Sequence, residues 1–320
     1  MTAANLLAVP RIAICVCTHG RSRQLAGLLD VLSAIDLEEY PPERVELIVI
    51  DNRPGRETRE LCERMAPSLP IVLHYAEEPQ PGLTYARNRA VAVALARNAD
   101  FVAFIDDDDR PRPDWLLRLL EQQSTSGADL VFGSWVLDAD LPPWVRESGI
   151  FRSPDKPKRN KERRYGLPHF ASGCNLLAGR EILERVGAAG PVFDHHFRFS
   201  GGEDKDFFLR AHRLGATLAC AERSIIQRSH DCERYSLRGL LRRGMKNGCS
   251  QINLAMVHGD RRRRLRLLGA ACLKFLVSLV LLPFSVFSPN QFRHHLYRLA
   301  KSWGIIYTSL SGRGLNYYSR

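Results

Sequence analysis

The sequence predicts an α/β protein: a mostly parallel sheet flanked by helices, followed by a C-terminal helical tail. Two observations carry this prediction. Short apolar runs alternate with segments of helical periodicity through the first 106 residues, the pattern of parallel strands covered by helices on both faces. The charge is also divided: beyond residue 233 there are 16 Lys and Arg against one acid, Asp260, so the net charge of +11 belongs to the tail and residues 1–233 are net negative.

Residues 11–17 read as a buried strand, apolar and stopped by Thr18-His19-Gly20. Leu25, Leu28, Leu29 and Leu32 then repeat at the spacing of one helix face, predicting a helix over 24–34. Strands are expected at 45–50, 71–75 and 101–105, with helices at 57–65 and 83–98 between them. After Trp115 the pattern loosens. Strands are expected at 130–136, 176–178, 217–220 and 224–227, helices at 180–186 and 205–214, and a basic, proline-bearing loop at 142–164. From residue 234 a basic helix at 238–256 precedes the run Arg261–Arg264 and a largely apolar stretch at 265–287, interrupted by Lys274 and Pro283. The uncharged part, 275–287, is about two thirds of the roughly 20 residues a spanning helix needs, and Pro283 falls inside it. An interfacial or re-entrant segment is the expectation. The division is therefore a catalytic domain at 8–232 and a basic amphipathic tail at 233–320.

At 320 residues and 45% hydrophobic content the chain can bury a large core, and disorder is excluded as its general state. Its eight cysteines lack CxxC or Cys/His metal spacing, so reduced thiols are expected. The first ten residues have no basic flank followed by a long apolar run, so no secretory signal is expected. A long aliphatic stretch is foreign to a nucleic-acid arm, so the basic tail points to an anionic membrane surface and not to nucleic acid.

In open α/β sheets ligands sit outside the carboxyl ends of the strands, and Thr18, Asp51 and Asp106 all fall at such ends. Asp106-Asp107-Asp108-Asp109 follows an apolar strand directly. Four packed carboxylates repel one another unless a cation is near, and hard oxygen ligands suit Mg²⁺ or Mn²⁺. Glu203-Asp204 follows Gly201-Gly202, whose backbone freedom allows a sharp turn or close approach to a ligand. Asp204 is the candidate base, although acids at a helix start also meet a favourable dipole. His230 is a candidate metal or phosphate ligand, and Trp144 and Asn175, with Glu203, are candidates for an acceptor pocket.

Five segments in order, Ala13–Arg21, Ile48–Asn52, Gly82–Asn88, Phe104–Asp108 and Gly202–Asp206, resemble family 2 glycosyltransferases of the GT-A fold over residues 11–230. The resemblance implies that Thr18 and Asp51 meet the nucleotide base. It places Arg87 at the diphosphate, Asp106 and Asp107 at ribose or donor sugar, and Asp108 on the metal. Arg21, inside the first segment, is grouped with these donor contacts. Asp204 becomes the base of an inverting, single-displacement transfer from a nucleotide-sugar, uridine-based, to a saccharide or lipid-linked saccharide. Asp109 extends the acidic motif by one, which leaves the metal-contacting position open by one residue. Such relatives build cell-surface polysaccharides, which implies work at the cytoplasmic face of the inner membrane, peripheral or monotopic. A sugar nucleotidyltransferase is the alternative enzyme, but it would want a glycine-rich phosphate loop where Thr18-His19-Gly20-Arg21 stands. A non-catalytic membrane-associated scaffold is the other alternative.

Overall fold

The computed structural model describes residues 9–137, 141–147, 150–151, 172–228 and 235–312. It forms two compact units, Met1–Leu137 with Pro154–Arg198 and Glu203–Ser229, and Asp138–Ser153 with Phe199–Gly202 and His230–Arg320.

The first unit alternates as expected in its opening half: β1 (Ile12–Thr18), α1 (Ser22–Leu32), β2 (Val45–Asp51), α2 (Arg56–Met65), β3 (Val72–Glu77), α3 (Leu83–Ala96) and β4 (Phe101–Asp106). The helix α1 buries Leu25, Leu28, Leu29 and Leu32, the face its spacing marked out. On α3, Ala86, Ala90 and Ala94 are buried against the other side of the sheet, where small side chains allow close approach. Asn88 fixes α3 to the chain at Phe193: its amide donates to the Phe193 carbonyl (2.8 Å) and accepts from the Phe193 N–H (2.9 Å).

The later elements are β5 (Asp109–Pro111), α4 (Trp115–Ser126), β6 (Leu130–Leu137), β7 (Leu176–Gly179), α6 (Arg180–Gly187), α7 (Glu203–Arg213) and β8 (Leu218–Arg228). All eight strands share one sheet in the order β3-β2-β1-β4-β7-β6-β8-β5. The pairs within β3-β2-β1-β4 are parallel, as is β6 with β8, whereas β7 runs antiparallel to both its neighbours. The sheet is thus mixed, its reversal sitting beside the last parallel strand. Expected strands at 217–220 and 224–227 are one continuous strand, β8, whose register against β6 shifts between Gly133 and Ser134. The helix α4 was not anticipated, although it buries Trp115, Leu116, Leu117 and Leu119.

In the second unit α5 (Pro143–Glu147) is short, and α8 (Leu237–Val257), α9 (Arg261–Leu281) and α10 (Pro289–Ser311) are long. The basic run Arg261–Arg264 opens α9, and Pro283 follows its end. No described helix is long and apolar enough to cross a membrane. The packing of α8 on α10 is close: a Cβ added at Gly248 would lie 2.1 Å from the Lys301 carbonyl oxygen, and one at Gly304 2.5 Å from that of Met245.

Candidate functional site

Register alone aligns the rim. Thr18 pairs with Asp51 across β1 and β2, and Cys17 pairs with Asp106 across β1 and β4. Three strand ends therefore present polar groups side by side, as the switch point of an open sheet requires.

On one side, Thr18 Oγ1 donates to Asp107 (2.8 Å) and Arg21 Nη1 donates to the same carboxylate (3.0 Å). The Arg21 guanidinium also lies 3.6 Å from Asp108. Asp107 is buried, and burial pushes its carboxyl up to about 6 against the pull of Arg21 and Thr18. Asp51 is buried, its carboxylate accepting from the Arg53 N–H (3.0 Å) and the Tyr75 hydroxyl (3.2 Å). Beside it, the Asn52 amide donates to the carbonyls of Glu78 (2.9 Å) and Gln80 (2.6 Å) and accepts from the Gly82 N–H (2.8 Å). That staple sets the start of α3, where Gly82 adopts φ +134° and opens the turn that delivers Arg87.

Arg87 is only 6% exposed. Its guanidinium reaches Glu203 (3.2 Å), Asp106 (3.5 Å) and the Gly173 carbonyl (3.4 Å), and lies 5.5 Å over the Phe193 ring. Burial works against its charge, but Glu203, Asp106 and Asp204 outweigh it and hold it protonated. Glu203, expected at the acceptor, is instead buried and paired with Arg87.

Asp204 follows on α7. Burial would raise its carboxyl, yet Lys205, Arg87 and the backbone N–H groups of Lys205 and Gly173 outweigh that and hold it below the ordinary value. It is a carboxylate at neutral pH, ready to accept a proton. Gly173 is the residue the sequence did not flag. A Cβ there would meet Asp204 Cβ at 2.7 Å and Arg87 Nη1 at 3.0 Å, so only glycine lets these groups approach.

Arg228, at the end of β8, was also missed. It lies 3.5 Å from Asp109 and 3.9 Å from Asp106, contacts Cys174 Sγ, and stacks 4.9 Å over Trp135. Asp109 is buried, and burial with the nearby Asp106 raises its carboxyl well above the usual range while Arg228 opposes them. Asp106, Asp109 and Cys174 bring one ligand atom each within 4.8 Å of the others. Arg228 lies beside both acids of this cluster, and burial pushes the Cys174 thiol up to about 12. Asp106 and Asp108 offer partly exposed hard oxygen donors, of the kind that suits Mg²⁺ or Mn²⁺.

The remaining expected positions are elsewhere. Asn175 is sealed inside the first unit: its amide donates to the Ser134 (2.9 Å) and Ser224 (3.0 Å) carbonyls and accepts from Ser224 Oγ (3.2 Å). Its polar atoms tie β6, β7 and β8 together instead of facing an acceptor. Trp144 belongs to the second unit, edge-on to Phe151 at 5.8 Å. His230 lies outside the described residues.

A family model described as glycosyl transferase family 2 matches residues 13–187. The succinoglycan biosynthesis protein ExoM of Rhizobium meliloti is 34% identical over 74% of this chain and 72% of its own length. Among solved structures, a mannosyltransferase of Pyrobaculum calidifontis, in complex with GDP-Man and Mn²⁺, superposes with a TM-score of 0.58 and 18% identity over 95% of this chain and 88% of that one. Residues 1–349 of S. aureus TarS, in complex with UDP-GlcNAc, give 0.50 and 14% over 95% and 92%. At such identities these two likenesses concern the fold.

Proposed function

The chain belongs to glycosyl transferase family 2, and on that premise we propose that it is an inverting, metal-dependent transferase of cell-surface polysaccharide synthesis. Its donor is a nucleoside-diphosphate sugar, uridine-based. Its acceptor is a hydroxyl of a saccharide or lipid-linked saccharide. The observation that carries the proposal is the convergence of Thr18, Arg21, Arg87, Asp106, Asp107, Asp108 and Asp204 along one rim of the sheet. Relatives and neighbours support it: one is named for succinoglycan biosynthesis, one holds GDP-Man with Mn²⁺, and one holds UDP-GlcNAc.

The roles follow from charge and position. Asp204, ionised and fixed by two backbone N–H groups, takes the proton of the attacking hydroxyl as its oxygen bonds to the sugar from the face opposite the nucleotide. Arg21 is half-exposed at the rim and contributes positive charge beside the diphosphate. Buried Arg87 orders Asp106, Glu203 and the Gly173 loop around that space. Asp51 and Thr18 bound the base end. A divalent cation held by Asp108, with Asp106 beside it, would stabilise the negative charge of the departing diphosphate.

The tail complements this chemistry at a bilayer. On α9 and the turn after it Leu273, Leu276, Leu279, Val280, Phe284 and Phe287 are exposed, and the same helix opens with four arginines. Apolar insertion with attraction to anionic headgroups is the physics of an interfacial anchor, and it supports work at the cytoplasmic membrane face.

The test is turnover of a nucleotide-sugar panel with Mn²⁺. Asp204→Asn is expected to lower turnover about 10²–10⁴-fold while metal-dependent donor binding survives. Asp108→Ala is expected to abolish the metal dependence of donor binding itself. Unchanged turnover in both variants rules the assignment out.

A further inference from the structure

The second unit contains a cavity of about 430 Å³ that the transfer chemistry does not use. Trp144, Leu240, Val286 and Phe292 give it apolar walls, and Arg293 is a charged residue in its lining. The Arg293 guanidinium lies 4.7 Å over the Trp144 ring, and that of Arg243 lies 4.6 Å over Phe151 in the same aromatic cluster. The cavity falls in the range of roughly 300–1,000 Å³ that small-molecule sites occupy. Its lining is not sealed: Val286 is 59% exposed, and its sequence neighbours Phe284 and Phe287 are 78% and 97% exposed.

We propose that this cavity receives the hydrocarbon chain of a lipid phosphate, the carrier end of a lipid-linked acceptor, with the phosphate at Arg293. Tyr235, Ser236 and Arg293 are the polar side chains of this lining, and against the rest a sugar hydroxyl would be buried without a partner, which is costly. A hydrocarbon chain has no such demand. The arginine supplies the complementary charge for a phosphate, in a tail that carries 16 basic residues against one acid. Val286 belongs both to the cavity and to the exposed apolar strip, so a chain can pass from a bilayer into the cavity without crossing water. The assignment rests on the transferase proposal for what the lipid carries, and on the cavity alone for where it sits.

The experiment titrates the purified full chain with farnesyl phosphate, farnesol, inorganic phosphate and phosphatidylglycerol vesicles, and measures metal-dependent UDP binding in the same samples. Saturable farnesyl phosphate binding is expected, and inorganic phosphate is expected not to compete at equal concentration. Leu240→Trp, which fills the cavity, should weaken that binding about tenfold or more, as loss of apolar contact on this scale implies. Arg293→Gln keeps the test open should the first variant fail to fold. It should weaken farnesyl phosphate about tenfold, the worth of a charge-assisted hydrogen bond, and leave farnesol unchanged. No farnesyl phosphate binding, or equal binding by wild type and both variants, overturns the proposal. So does binding of phosphatidylglycerol alone with the same dependence on Leu240 and Arg293, which makes the cavity a phospholipid seat. UDP binding without farnesyl phosphate binding defeats the cavity assignment only, and the reverse defeats the transferase proposal only.

Discussion

The two units solve burial in opposite ways. In the α/β unit large apolar side chains fill both faces of the sheet, and the charges drawn inside are matched: Arg87 with Glu203 and Asp106, Arg228 with Asp109. In the helical unit buried positions are taken largely by small or hydroxyl residues, among them Gly244, Gly248, Ser250, Ser278, Ser302, Gly304 and Thr308. Leucines and phenylalanines of α9 and the turn after it lie outside. A water-soluble fold gains by hiding Leu and Phe. Where lipid is the solvent that gain vanishes, and helices associate through small residues that let backbones approach. This contrast is what supports the bilayer anchor proposed for the helical unit.

The largest expected effect attacks the outward apolar face. Phe284→Ser with Phe287→Ser should cost about 3 kcal/mol of membrane affinity, on the order of a hundredfold in partition to anionic vesicles. Thermal unfolding in detergent-free buffer should barely move, because both rings are already in water. A large loss of stability with unchanged vesicle binding would break the contrast.

The next prediction concerns the rim. With its carboxyl pushed up to about 6, Asp107 is costly to ionise in the folded state. The stability it allows is fully present below its unfolded value and is lost as pH rises through 6. In metal-free protein Asp107→Asn should therefore be more stable than wild type at pH 7–8, by at most ~3 kcal/mol. The difference should close toward pH 4, as read by denaturant unfolding across pH. A constant difference would mean the rim holds no such strain.

A smaller effect tests the helical packing. Gly248→Ala puts a methyl against the Lys301 carbonyl and should destabilise by ~1–3 kcal/mol through forced separation of α8 and α10. Gly269→Ala, where the added methyl meets nothing within 4 Å, is the control and should be neutral or slightly stabilising.

Much of the α/β unit was legible because its signals are local. A strand shows as an apolar run, a helix as repeated leucines, and a strand end as Thr18, Asp51 or Asp106. The rim could therefore be placed before any geometry was known. Gly173 gave no such signal, since one glycine before Cys174-Asn175 looks like any turn. Arg228 carries no local mark of its role, and Asn175, expected at an acceptor pocket, is sealed by Ser134 and Ser224.

By itself the sequence determined the alternation of strands and helices as far as β4, the acids at the strand ends and the divided charge of the tail. Each of these follows from residues within a few positions of one another. Only the tertiary structure decided that β7 reverses the sheet and that Arg87 and Arg228 serve as buried counter-ions. It also decided that Leu273, Leu276, Leu279 and Val280 of α9 stay outside while serines and glycines of α8 and α10 go in. Burial and charge pairing are set by groups remote in the chain, and no local period records which of them will meet.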